Sequence, residues 1–163
     1  EFNSLPQSGE LQTGDEIIVP DGTIKSTYAA TGSSGVVNRS FSYLPNLGSY
    51  FMQPATGYNW GRIHGRNGVD IANSCGTPIY AAADGSVAIA DGVGYNGGFG
   101  KFVKLTHSNG TETLYAHASK ILVEDRETIA KGQKIALMGT TSRSTGCHLH
   151  FEVHGARNPL AKY

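Results

Sequence analysis

Long apolar runs are missing from this sequence: nowhere do about 18 apolar residues follow one another, so it holds no candidate membrane-spanning helix. Charge of one sign is missing too. Thirteen Lys and Arg balance thirteen Asp and Glu, which leaves no basic excess for nucleic acid or an acidic membrane surface. Two cysteines, Cys75 and Cys147, are too few for a disulfide framework or a four-cysteine metal site and make one bridge at most. The pattern H-E-x-x-H, which sets a glutamate base beside two metal-binding histidines on a helix, does not occur. The start lacks the charged-then-apolar layout of a secretory signal, a segment that processing removes, and Glu1-Phe2 reads as a cloning scar.

What is present in quantity is glycine, 22 residues of it, with many Asn, Ser and Thr and short segments rich in Val, Ile, Tyr and Thr between them. That composition predicts a mostly β chain of antiparallel sheet with little helix, long enough at 163 residues for one compact domain with an appendage. Residues 1–48 read as a polar, turn-rich arm or linker holding one strand, in "LQTGDEIIVPDG". Residues 49–163 form the main domain. Strands are expected at Gly68 to Ala72, Pro78 to Ala82, Ser86 to Ala90, Phe102 to His107, Thr111 to His117, Lys134 to Met138 and Cys147 to His154. "HSNGT" predicts a two-residue hairpin turn of type I′ at Asn109-Gly110, and the one brief helical candidate spans Lys120 to Thr128.

The stretch "GCHLHFEV" places two histidines where a buried strand would carry Val or Ile. Strand alternation sets His148, His150 and Glu152 on one face and Leu149, Phe151 and Val153 on the other, the two imidazoles roughly 6 to 7 Å apart at Cβ. One of them can then bind a metal while the other reaches a water or substrate atom beside it. In "TLYAH" the same alternation puts Thr113, Tyr115 and His117 together. In "GVDIA" Asp70 stands between Val69 and Ile71, a costly place for a carboxylate without a positive partner such as a divalent metal. His64, Asp70, His117, His148 and His150 are therefore the candidate site. His107 and His154, at strand ends, read as ordinary solvated or hydrogen-bonded residues, and Asp84 and Asp91 as turn carboxylates.

With those residues in view, the sequence resembles the lysostaphin-like zinc metallopeptidases that cut peptide bonds in bacterial peptidoglycan. The resemblance runs in order through "HGRNGVDIA", "CGTPIYAAADGSV", "GGFGKFVKLTHSNGTETLYAHAS", "IAKGQKIALMGTT" and "STGCHLHFEV", over about residues 50 to 159. It implies the antiparallel β fold of that family, the duplicated hybrid motif, with a narrow substrate groove. It implies one zinc ion held by His64, Asp70 and His150, with His117 and His148 acting on substrate. Glu152 is then the candidate to orient an imidazole, with a solvated carboxylate as the alternative. Tyr115 either lines the groove or packs as a core aromatic. "NWGRIHGR" and "GYNGGFG" are expected at the groove rim.

The implied function is zinc-dependent endopeptidase action on stem or crossbridge peptides of peptidoglycan, by a monomer in the bacterial envelope or outside the cell. The alternative is a metal-free scaffold that activates another wall hydrolase. The strand at "LQTGDEIIVPDG" resembles the end of a wall-binding module of the LysM kind, which would make the chain a fragment of a longer envelope protein; a strand that merely pads the catalytic domain is the other reading. Two departures from the family stand out. Five residues separate His64 from Asp70 where three are usual, and Arg66, at the usual position, cannot serve as a ligand. Cys147 stands where proline often precedes the H-x-H, and the resemblance brings it near Cys75, so a Cys75–Cys147 disulfide is expected, with two free buried thiols as the rival.

Overall fold

The computed structural model describes residues 41–163. The strand expected at "LQTGDEIIVPDG" and most of the N-terminal arm lie outside the described residues. Ten strands follow in order: β1 (Tyr58–Asn59), β2 (Gly68–Ala72), β3 (Pro78–Tyr80), β4 (Gly85–Asp91), β5 (Phe102–Thr106), β6 (Glu112–Ala116), β7 (Ala118–Ile121), β8 (Thr128–Ile129), β9 (Lys134–Met138) and β10 (His148–His154). Seven make one antiparallel sheet in the order β1-β2-β10-β6-β5-β4-β8, and β3-β9-β7 make a second. No α-helix occurs among the described residues, so none there is long and apolar enough to cross a membrane.

Alternation explains the large sheet. Val69 and Ile71, Val103 and Leu105, Leu149, Phe151 and Val153 point into an apolar cluster shared with Ile79, Ile135 and Met138 of the small sheet. β10 lies between β2 and β6, and its five inner residues are buried. The Cys75–Cys147 disulfide ties the end of β2 to the start of β10, with Cα atoms 5.2 Å apart. At the C-terminal end Arg157 donates to the carbonyls of Leu44 (2.9 Å) and Ser42, so residues 42–44 are fastened to this unit.

Three expectations need correction. Lys120 to Thr128 is not helical: Ala118–Ile121 pairs with β9 as a strand, and Ser119 Oγ donates to the carbonyl of Met138 at 3.0 Å. The "HSNGT" turn has a three-residue loop instead of two, closed by the His107 N–H on the Thr111 carbonyl (2.9 Å), with Gly110 and not Asn109 at positive φ. Tyr115 does not share a face with His117. It is fully buried against Phe151, its ring 5.3 Å away, so it packs in the core and does not line a groove.

The Tyr115 hydroxyl accepts from the Ala82 N–H at 2.8 Å and from Thr113 Oγ1 at 2.9 Å, and burial pushes its pKa up to about 12. Tyr115→Phe leaves that buried N–H unpaired and is expected to cost about 1–3 kcal/mol in urea denaturation. Unchanged stability would mean that the Ala82 amide finds another partner.

Candidate functional site

Register builds the site. His150 pairs with Asp70 across β10 and β2, and His148 with Ala72, so Asp70 stands on the same sheet face as His148, His150 and Glu152. His64 joins them through a small hairpin. Its N–H and carbonyl bond those of Gly68 (3.0 and 2.9 Å), and Gly65, Arg66 and Asn67 make the turn, with Gly65 and Asn67 at positive φ. The two additional residues between His64 and Asp70 fit within this turn, whose tip carries the exposed Arg66. Asn67 anchors it, donating to the carbonyls of Val153 (2.7 Å) and Ala156 (2.8 Å).

His64 Nε2 and His150 Nδ1 lie 2.9 and 3.0 Å from Asp70 Oδ1, and one ligand atom from each of the three residues falls within 4.8 Å of the others. Two imidazole nitrogens and one carboxylate oxygen are the donor set of a zinc site that keeps a coordination position open. Burial alone would raise the Asp70 carboxyl. The hydrogen bonds from His150 and His64 overcome it and hold Asp70 well below the usual carboxylate range. Burial alone would lower His150. Its bonds to Asp70 and Glu152 overcome that and lift it to about 9.

Behind His150, Glu152 Oε1 accepts from Nε2 at 3.0 Å, which leaves Nδ1 to face Asp70 and His64. This carboxylate–imidazole pairing is how proteins orient a metal-binding histidine. Glu152 is 1 % exposed. Burial would raise its pKa, but His150 and His154 bring it down to about 2.

His117 reaches the site by a route that strand alternation does not foresee. It follows the last residue of β6 at φ 62°, and this left-handed turn carries its side chain away from the Tyr115 face. Its ring lies 4.7 Å from that of His148 and 6.1 Å from that of His150. The loop 140–146 anchors both of the outer histidines: the carbonyl of Thr141 accepts from His117 Nδ1 at 2.9 Å, and that of Gly146 from His148 Nδ1 at 2.8 Å. Each keeps Nε2 as its lone-pair nitrogen. Burial, reinforced by His148 and His150, lowers the His117 pKa.

Thr141 and Gly146 had no signal in the sequence, because backbone carbonyls hold the rings. His154 did have one: it continues the alternation of His148, His150 and Glu152 and donates to Glu152 Oε2 at 2.8 Å. His107, by contrast, is hydrogen-bonded to the Asp84 carbonyl and Thr113, away from the other histidines. Tyr58, paired with Ala72, stands on the site's face beside Trp60, and both rings are exposed. Tyr95 is exposed on the loop that also carries Phe99, whose ring lies 6.0 Å from His150.

One glycine is required by the site. A Cβ at Gly68 would overlap His150 Cε1 and stand 2.7 Å from Nε2. Gly68→Ala is therefore expected to push the ring off Glu152 and lower metal occupancy at least about tenfold, although residue 68 is no ligand. Wild-type metal content in that variant would show that the ring has room to shift.

Comparison with known proteins gives this chain a family. The profile of peptidase family M23 matches residues 64–161. Peptidoglycan DD-endopeptidase ShyB of Vibrio cholerae is 35% identical over 140 residues, which cover 82% of this chain and 32% of ShyB. An uncharacterized metalloprotease of Haemophilus influenzae is 48% identical over 104 residues, 61% of this chain and 21% of that protein. The chain thus spans a third or less of these curated relatives. Among solved structures, the catalytic domain of lysostaphin from Staphylococcus simulans superposes with a TM-score of 0.52 at 31% identity, covering 67% of this chain and 80% of that domain.

Proposed function

The chain belongs to peptidase family M23, and on that premise we propose that it is a zinc-dependent endopeptidase acting on peptide bonds of bacterial peptidoglycan. The observation that carries this reading is the convergence of His64, Asp70 and His150 within 4.8 Å, with the His117 and His148 rings 4.7 Å apart beside them. An activator without chemistry of its own would have no use for that second pair.

His64 Nε2, Asp70 Oδ1 and His150 Nδ1 would hold the ion. A bound zinc supplies Lewis acidity toward the scissile carbonyl and an activated water. The chain's own residues do the proton work. His117 and His148 are each fixed through Nδ1 by a carbonyl, so one Nε2 accepts the water's proton and the resulting imidazolium passes it to the leaving amine. The other, when it carries a proton at Nε2 as well, would donate it in a hydrogen bond to the developing oxyanion. Phe99 packs near His150 alone among the three ligands, with ring centroids 6.0 Å apart. The exposed Tyr58, Trp60 and Tyr95 offer flat surfaces along which a peptide can lie. A Cys75–Cys147 disulfide suits an oxidising envelope compartment, where the substrate is found.

The test joins elemental analysis to digestion of purified peptidoglycan. About one zinc per chain, and new amino and carboxyl ends that vanish when a chelator is added, are the expected results. A zinc-loaded chain that releases no peptide ends would overturn the reading.

A further inference from the structure

The polar face of the large sheet carries a line of side chains that continues beyond the three candidate ligands. Glu152 bonds His150 through Oε1 at 3.0 Å and His154 through Oε2 at 2.8 Å. On its other side His154 Nδ1 lies 3.5 Å from Glu112 Oε2, and Lys104 Nζ pairs with the same oxygen at 2.6 Å. The register makes this a designed row: His154 is the direct cross-strand partner of Glu112, and Lys104 that of Leu114, which in turn faces Glu152. The line runs from Asp70 on β2 through β10 and β6 to β5.

A carboxylate as buried as Glu152 is stable only when both oxygens have partners. Without His154, Oε2 loses its donor, and nothing holds the Glu152 carboxylate against rotation. Rotation removes the fixed acceptor that turns His150 Nδ1 toward Asp70 and His64.

We propose that His154, held from behind by Glu112 and Lys104, is a positioning residue that sets the affinity of the metal centre from outside it. This rests on the zinc reading above. His154 touches none of the three candidate ligands and acts only through Glu152.

The experiment measures zinc affinity of the whole chain by competition with a chromophoric chelator, alongside the melting temperature of the metal-free form and the visible spectrum of the cobalt-substituted form. His154→Leu is expected to weaken zinc binding about tenfold and to alter the cobalt spectrum. His154→Gln, whose amide can still donate to Oε2, should recover affinity to within about threefold of wild type. Glu112→Gln, farther along the line, should fall between the two and serves as the readout should the leucine variant not fold. Variants that melt lower without metal yet bind zinc as wild type does would overturn the positioning role and leave a purely structural ion pair. A wild-type chain that takes up no zinc would overturn the metal reading itself, a result distinct from equal affinities across the series.

Discussion

Replacing His148 by alanine is expected to lower peptide-bond hydrolysis by about 10²-fold or more while the zinc content stays at its wild-type level, and His117→Ala should do the same. The expectation follows from where the two rings stand. Neither belongs to the group that brings its ligand atoms within 4.8 Å, yet His148 Nε2 is only 3.9 Å from Asp70 Oδ1 and the His117 ring is 4.7 Å from that of His148. Each is anchored at Nδ1 by a carbonyl of the 140–146 loop and so keeps one nitrogen for chemistry. The loss should appear in kcat, because the proton transfers belong to the transition state. Since the two rings act as a unit, the double variant should be little worse than either single one. Loss of zinc from His148→Ala would move His148 into the ligand set; near wild-type turnover in both variants would end their catalytic assignment.

The second large effect concerns His64. His64→Ala is expected to abolish both zinc retention and hydrolysis, leaving only background turnover, while the metal-free fold melts as before. Two facts separate these outcomes. The His64 side chain is 47% exposed, so its removal empties no core, and the hairpin that presents it is closed by backbone bonds to Gly68 and by Asn67. A two-ligand site of one carboxylate and one imidazole falls short of the three protein ligands a catalytic zinc uses. Elemental analysis after dialysis decides the matter: stoichiometric zinc in the alanine variant would remove His64 from the centre.

Much of the sheet could be read before the fold was known, because period-2 alternation and turn residues are local signals. β2 and β9 have the expected bounds, and His148, His150 and Glu152 share a face as alternation requires. What failed to show locally was whatever depended on a single dihedral or on a distant partner. His117 was misplaced beside Tyr115 because one left-handed residue reverses the alternation. Lys120 to Thr128 looked helical because the strand Ala118–Ile121, which overlaps its start, exists only through pairing with β9, 15 or more residues away. The meeting of Asp70 with His150 spans 80 residues and is a matter of register, which a sequence expresses only through which face is apolar. The spacing of His64 pointed to an insertion, but its hairpin closure was not readable, since Gly65 and Asn67 take positive φ only in concert with Gly68.

The position of β10 has a consequence for how this protein would fail. Active groups often ride on loops that open and close on their own, ahead of the rest of the molecule. Here His148 and His150 begin a strand that is paired on both sides and buried at its five inner residues. Amides in such a strand exchange with solvent only when the whole domain opens. Heat or denaturant should therefore leave the backbone of His148 and His150 in place until the fold is lost, so that any earlier loss of activity would trace to the His64 hairpin or the 140–146 loop.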